Sequence, residues 1–180
     1  TPIFAMRLLL TDTPSQKDQA IAGELFKIEQ YADMVLSYLR LDSHYNDLVI
    51  RRQPLDDILK QAVRKYAPLF IRKKISLDYQ PTSAVILTDE KWFLFIIEQL
   101  LSNALKYTPT GKISIYLDNP HTLVIEDTGI GIEPEDLPRI FEKGFTGYNG
   151  RTDKKASGLG LWLFRRAADM LSQTKLLESE

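Results

Sequence analysis

Three segments between residues 89 and 161 decide what this chain can fold into: Glu98–Thr108, Asp127-Thr-Gly-Ile-Gly131 and Ser157-Gly-Leu-Gly160. Around the first, Phe93, Ile96, Ile97, Leu100, Leu101 and Ala104 recur at three- and four-residue spacing, which predicts a helix with one broad buried face. Thr88 reads as its N-cap, and Asp89 and Glu90 suit the positive helix start. Gln99, Asn103 and Lys106 fall at i, i+4 and i+7 and share a polar face. An amide oxygen can ligate a hard cation such as Mg2+, and an ammonium can meet phosphate. The face can therefore hold a metal–triphosphate, although a solvated helix surface has the same pattern.

The two glycine turns complement that face. His121–Asp127 is apolar enough for a strand, and Asp127 stands at its end. Gly129 and Gly131 then permit close backbone approach. A carboxylate held there can accept a hydrogen bond from an exocyclic amine such as that of adenine, or simply cap a turn. Ser157-Gly-Leu-Gly160 opens a second helical pattern, Leu161, Phe164, Ala168 and Leu171. A glycine loop entering a helix N-terminus is an anion site or an ordinary cap.

Upstream, Thr1–Thr11 reads as a short helix with Pro2 in its first turn. From about residue 16 to 42, Ile21, Leu25, Ile28, Ala32, Val35 and Leu39 are spaced 4, 3, 4, 3, 4, a heptad seam. An eleven-residue partner cannot cover that seam, so two copies of the hairpin are expected to form a four-helix bundle. Leu48–Arg52 is expected as a strand and Leu55–Lys74 as a helix, with Ile58, Leu59, Ala62, Val63, Tyr66 and Phe70 inside and Pro68 as a possible break. Asp56 and Asp57 at its start and Arg72, Lys73 and Lys74 at its end oppose the helix dipole, the basic run being read as a cap. Strands are expected at Ile75–Tyr79, Ala84–Leu87 and around Ile113, Ile115 and Leu117, forming one sheet with helices on one face. Residues 132–157 carry Pro134, Pro138, three glycines after residue 143, and Lys143, Arg151, Lys154 and Lys155. A polar segment of that length within a domain reads as a lid whose cations face phosphate. Lys175–Glu180 is expected to be a strand.

Net charge is −1 and there is no cysteine among the 180 residues. No global field favours nucleic acid, and disulfides and thiolate metal sites are excluded. No apolar run approaches the roughly 18–20 residues that span a bilayer. The chain begins Thr-Pro rather than with Met, and is expected to be part of a longer protein.

In order and spacing, the three segments resemble the N, G1 and G2 boxes of the histidine kinase catalytic domain, a member of the GHKL ATP-binding superfamily. Ile140-Phe-Glu-Lys-Gly-Phe145 corresponds to the F box. The resemblance implies an α+β fold, a two-layer α/β sandwich preceded by an antiparallel helical hairpin. Residues 1–46 would be the dimerisation and phosphotransfer hairpin, making a homodimer through residues 1–42. Residues 47–180 would be the catalytic ATP-binding domain. The implied reaction passes the ATP γ-phosphoryl to a histidine, then to an aspartate of a response-regulator receiver domain. It also implies that Asn103 ligates Mg2+ and that Gln99, an amide of longer reach where many of the family have Asn, is a metal or water ligand. Lys106 and Lys143 would approach phosphate, Tyr107 would line the adenine pocket and Asp127 would read adenine. Gly129, Gly131, Gly158, Leu159 and Gly160 would form the close turns.

Thr1-Pro2 is similar to the tail of the H-[ED]-x-x-[TN]-P acceptor pattern. The acceptor histidine is then expected four residues before Thr1, and Thr1 would orient water for dephosphorylating the regulator. His44 and His121 do not fit that pattern and read as surface or structural residues. The family usually continues past this C-terminus with a further strand. Superfamily ATPases such as type II topoisomerases use a Glu at the position of Gln99. An amide cannot serve as that base, and Glu98 points about 100° away round the helix. A degenerate kinase that docks a regulator without transfer is the remaining alternative. Lys27-Ile-Glu29 and Leu36–Leu41 resemble intramembrane-sensing kinases that respond to peptide antibiotics. That subfamily implies a cytoplasmic portion of a bacterial protein anchored in the membrane through upstream segments.

Overall fold

The computed structural model describes residues 16–42, 48–147 and 157–177. Contacts divide the chain into two units, Thr1–Asn46 and Asp47–Glu180. In the first, helix α1 (Gln16–Asp42) carries the heptad seam. Ile21, Ile28, Val35 and Leu39 are exposed there, from 42% at Ile21 to 57% at Leu39, whereas Leu25 and Phe26 are buried. The short helix expected over residues 1–11, with Thr1, lies outside the described residues, as does His44.

The second unit runs β1 (Arg51–Pro54), α2 (Leu55–Lys73), β2 (Ser76–Tyr79), β3 (Val85–Thr88), α3 (Glu90–Tyr107), β4 (Lys112–Asn119), β5 (Thr122–Asp127), a 3-10 turn at Leu137–Arg139, and α4 (Gly160–Leu177). It is α+β, as the resemblance implied. The strands form two hydrogen-bonded sheets rather than the one expected. β1 pairs antiparallel with β3, from Arg51 opposite Thr88 to Pro54 opposite Val85. β4 is the centre of the other sheet, parallel to β2 and antiparallel to β5. Ile113, Ser114 and Ile115 are all buried on β4, the central strand of this sheet.

β1 starts three residues later than expected for a specific reason. The Val49 N–H donates to the Asp89 carboxylate at 2.9 Å instead of joining a ladder. The other Asp89 oxygen accepts from the Trp92 N–H at 3.1 Å, so Asp89 is the N-cap of α3. Thr88, expected in that role, is still an extended residue of β3, paired with Arg51. A buried carboxylate with both oxygens satisfied thus ties the start of α3 to the segment leading into β1.

α3 is the central helix, packed against α2, α4 and β5. Two helical neighbours widen its buried arc, so Phe95 and Leu105 are buried along with Ile96, Ile97, Leu101 and Ala104, while Phe93 and Leu100 are only half-buried. From α2 it meets a face of Leu55, Ile58, Leu59, Ala62, Tyr66 and Phe70, with Val63 half-buried at the margin. Burying a side chain of this size contributes about 1.5–3 kcal/mol. Pro68 does not end α2: it is exposed, and the helix continues to Lys73 before Lys74 adopts the left-handed C-cap at φ 55°. On α4 the buried residues are Leu163, Ala167 and Leu171, not the stripe through Leu161, Phe164 and Ala168. α4 also continues helically through residues 175–177, where a strand was expected. Hydrogen bonding within the helix satisfies that backbone.

Candidate nucleotide site

The site is assembled on α3, and its two ends do different work. At the C-terminal end, the last-turn carbonyls lack partners within the helix. The Tyr107 carbonyl accepts from the Ile130 N–H at 3.1 Å, which docks the Asp127–Gly131 turn onto the helix end. Asp127 Oδ1 accepts from the Gly129 N–H at 2.9 Å and from the Thr108 hydroxyl at 3.3 Å. Asp127 itself is exposed, and among the described residues its Oδ2 accepts no hydrogen bond. One carboxylate oxygen is thereby held by protein while the other faces outward.

Gly129 is required here by close approach. A Cβ at this position would lie 2.5 Å from the Tyr107 carbonyl oxygen and 2.6 Å from Asp127 Oδ1. Gly131, by contrast, has φ 71° and open space around it, so its role is conformational. The start of β4 is stitched to the same turn: the Thr128 hydroxyl accepts from the Lys112 N–H at 3.0 Å and donates to the Lys112 carbonyl at 3.3 Å.

Further back along α3, Gln99 and Asn103 are half-buried. Gly160 at the start of α4 lies against Gln99, and a Cβ there would be 3.1 Å from Gln99 Oε1. Asn103 Nδ2 is buried and, among the described residues, has no hydrogen-bond partner. An orphaned buried amide is costly unless a ligand satisfies it. Rotating the amide by 180° would present its oxygen at the same place, which is the donor a Mg2+ ion takes. Lys106 is exposed, its Nζ 5.1 Å from the Tyr107 ring centroid, and Tyr107 is half-buried.

Described residues on either side of 148–156 meet one another. Gly144 N–H donates to the Gly158 carbonyl at 3.0 Å, and Gly158 has φ 65°. A Cβ on Gly158 would meet the Gly144 carbonyl carbon at 2.4 Å, so two backbones touch directly. The Leu159 N–H donates to Ser157 Oγ at 3.3 Å, and the Leu159 carbonyl accepts the first α4 bond, from Leu163. Phe141 stacks on Phe164 with ring centroids 6.1 Å apart, and Arg139 lies 4.5 Å over Phe145 while bridging Glu142 at 3.0 Å. Lys143 Nζ lies 5.1 Å over the Trp162 ring. Arg151, Lys154 and Lys155 lie outside the described residues. Three contributors escaped the sequence reading. Asp89 was taken as a first-turn residue, Thr108 as the last residue of the Glu98–Thr108 segment, and Lys73 as a cap of its own helix. Nothing local distinguishes the last.

An ATP-binding domain of mixed helix and sheet is the class this arrangement defines. A family model of histidine kinase-, DNA gyrase B- and HSP90-like ATPases matches residues 88–180, and the chain belongs to that family. It is 39% identical over 178 residues to the sensor protein BceS of Halalkalibacterium halodurans, covering 95% of this chain and 52% of that protein. Against BceS of Bacillus subtilis it is 35% identical over 185 residues, covering 100% and 55%. Against the sensor protein kinase GraS of Staphylococcus aureus it is 36% identical over 181 residues, covering 95% and 51%. The chain thus spans about half the length of these curated relatives. Among solved structures, full-length ShkA in complex with AMPPNP gives a TM-score of 0.62 at 23% identity, over 92% of this chain and 36% of that one. The Acinetobacter baumannii histidine kinase AdeS gives 0.57 at 19% identity, over 93% and 83%. At these identities the likeness is one of fold.

Proposed function

We propose that this chain is the ATP-binding kinase core of a two-component sensor histidine kinase, passing the ATP γ-phosphoryl to a histidine and then to an aspartate of a response regulator. The observation that carries the reading is the use of α3 as a shared platform. Its C-terminal end holds Asp127 with an oxygen facing outward, and Gln99, eight residues earlier, meets the glycine start of α4. Eight helical residues span about 12 Å, which separates a base-reading end from a phosphate end. The relatives, two of them named sensor proteins and one a sensor protein kinase, support it.

In this reading Asp127 accepts from the adenine amine, Tyr107 lines the base, and the N–H groups at the start of α4 with Lys106 and Lys143 face the phosphates. Asn103, with Gln99 beside it, supplies amide oxygens to Mg2+. Bound Mg2+ would neutralise phosphate charge, and the chain's own contribution is positioning. Gln99 lacks the basicity to activate water, which favours transfer over hydrolysis. The exposed seam of α1 supports a homodimer through residues 1–42. No helix among the described residues is long and apolar enough to cross a membrane. A cytoplasmic location, with anchoring by segments outside this chain, rests on the resemblance to sensor kinases.

The test uses γ-labelled ATP and Mg2+ with this chain and with a form extended by about ten natural residues before Thr1. Acid-labile, base-stable label on the extended form alone is expected. ATP binding that depends on Asp127, with no label on either form, would point to a regulator-docking module instead. Absence of ATP binding would refute the site.

A further inference from the structure

We infer that Lys73, on a helix outside the nucleotide-binding segments, is a positioning residue for Asp127 and so helps set the preference for an adenine base. This rests on the reading of Asp127 given above. Lys73 is half-buried at the end of α2. Its ammonium donates to the Leu105 carbonyl and, at 3.1 Å, to the Thr108 carbonyl. Both acceptors lie at the C-terminal end of α3, where carbonyls need outside partners and a positive charge is favoured.

Thr108 is fully buried and held at three points. Its N–H donates to Ala104 at 3.0 Å, its carbonyl accepts from Lys73, and its hydroxyl donates to Asp127 Oδ1 at 3.3 Å. The chain of contacts therefore runs from Lys73 through Thr108 to the oxygen that fixes Asp127. The Asp127 oxygen facing outward is aimed by whatever holds its twin. Burial, with Arg72 adding to it, pushes the Lys73 ammonium below the ordinary lysine range, so the group has given up water for these two carbonyls. Hydrogen bonds to a charged donor are the stronger kind.

The base preference separates positioning from mere support of the fold. Inosine triphosphate has a carbonyl where ATP has the exocyclic amine, so it cannot make the same donation to Asp127, its N1–H being a donor at a different position. The affinities of the whole chain for ATP and for inosine triphosphate would be measured by titration calorimetry with Mg2+. Lys73→Met is expected to weaken ATP binding about tenfold while leaving inosine triphosphate within about twofold, since only ATP uses the displaced carboxylate. Equal weakening of both, or no change in their ratio, would overturn the inference. Should Lys73→Met not fold, Thr108→Val decides. It keeps the shape and removes only the hydroxyl, and must lower the same ratio; an unchanged ratio overturns the inference. A wild-type chain that binds the two nucleotides alike would instead refute the reading of Asp127.

Discussion

Gly129→Ala is the sharpest probe of how the Asp127 turn is held. The added Cβ would sit 2.5 Å from the Tyr107 carbonyl oxygen, 2.6 Å from Asp127 Oδ1 and 2.9 Å from the Tyr107 carbonyl carbon. Two of those atoms are backbone at the end of a packed helix, so neither can swing aside. Reaching even 3.0 Å requires the turn to retreat from α3 by about 0.5 Å, since interiors close-packed to this degree do not absorb it elsewhere. The Ile130–Tyr107 bond, already 3.1 Å, would then be stretched past useful length. The Gly129–Asp127 bond lies in the same turn and is exposed to the same shift. Two weakened bonds at about 1 kcal/mol each, with overpacking strain of about 1 kcal/mol, give a loss of about 2–3 kcal/mol. For a unit of this size that lowers Tm by about 5–10 °C.

ATP affinity should fall further than stability alone requires, because the carboxylate moves with the turn. Gly131→Ala is the control. It meets nothing within 4 Å and bears only the positive φ of 71°, costing about 1 kcal/mol. Urea midpoints at fixed m-value and ATP titrations on both variants make the comparison. A Gly129→Ala chain within about 0.5 kcal/mol of wild type, or a Gly131→Ala chain that is the worse of the two, would refute the argument.

Three other outcomes are expected. Gly158→Ala, whose Cβ would press on the Gly144 carbonyl carbon at 2.4 Å from a φ of 65°, should release the segment between the glycine turns and speed limited proteolysis there; unchanged cleavage would count against the backbone contact. Ile28→Glu with Val35→Glu, at seam positions 53% and 52% exposed, should convert a dimer to monomer in light scattering while leaving ATP affinity unchanged; a wild-type monomer would remove the seam's proposed purpose. The Asp56 carboxyl is held below its ordinary range by hydrogen bonds from Lys60 and then Tyr79, with Thr82 N–H adding to them. A lowered folded pKa stabilises above the unfolded value of about 3.9 and loses that contribution as pH falls through the folded one. The stability gap between wild type and Asp56→Asn should hold from pH 8 to 5 and narrow under stronger acid; a gap that widens as pH falls below 4 would contradict the assignment.

Much of the site was legible because its signals are local. Gly129, Gly131, Gly158 and Gly160 announce turns by lacking a side chain, and the 3.6-residue period placed α3 to within about a turn. Gln99, Asn103 and Lys106 shared a face by spacing alone. Errors gathered where two segments distant in sequence compete for one group. Asp89 caps α3 through one carboxylate oxygen, while Val49, forty residues earlier, takes the other. Phe95 and Leu105 were buried because α3 has helices on two sides, which a single amphipathic stripe cannot report.

The sequence by itself determined the order of the three nucleotide segments, the strand that ends at Asp127, and the heptad seam of α1, since each depends on neighbours within a few residues. Only the tertiary structure decided that Lys73 caps a helix other than its own, that Thr108 grips Asp127, and that Gly158 touches Gly144. The physical reason is that carbonyls at a helix end must be satisfied by something, while the chain's local pattern does not say by what. That choice is made by packing, between groups 32 and 35 residues apart for Lys73 and its two carbonyls.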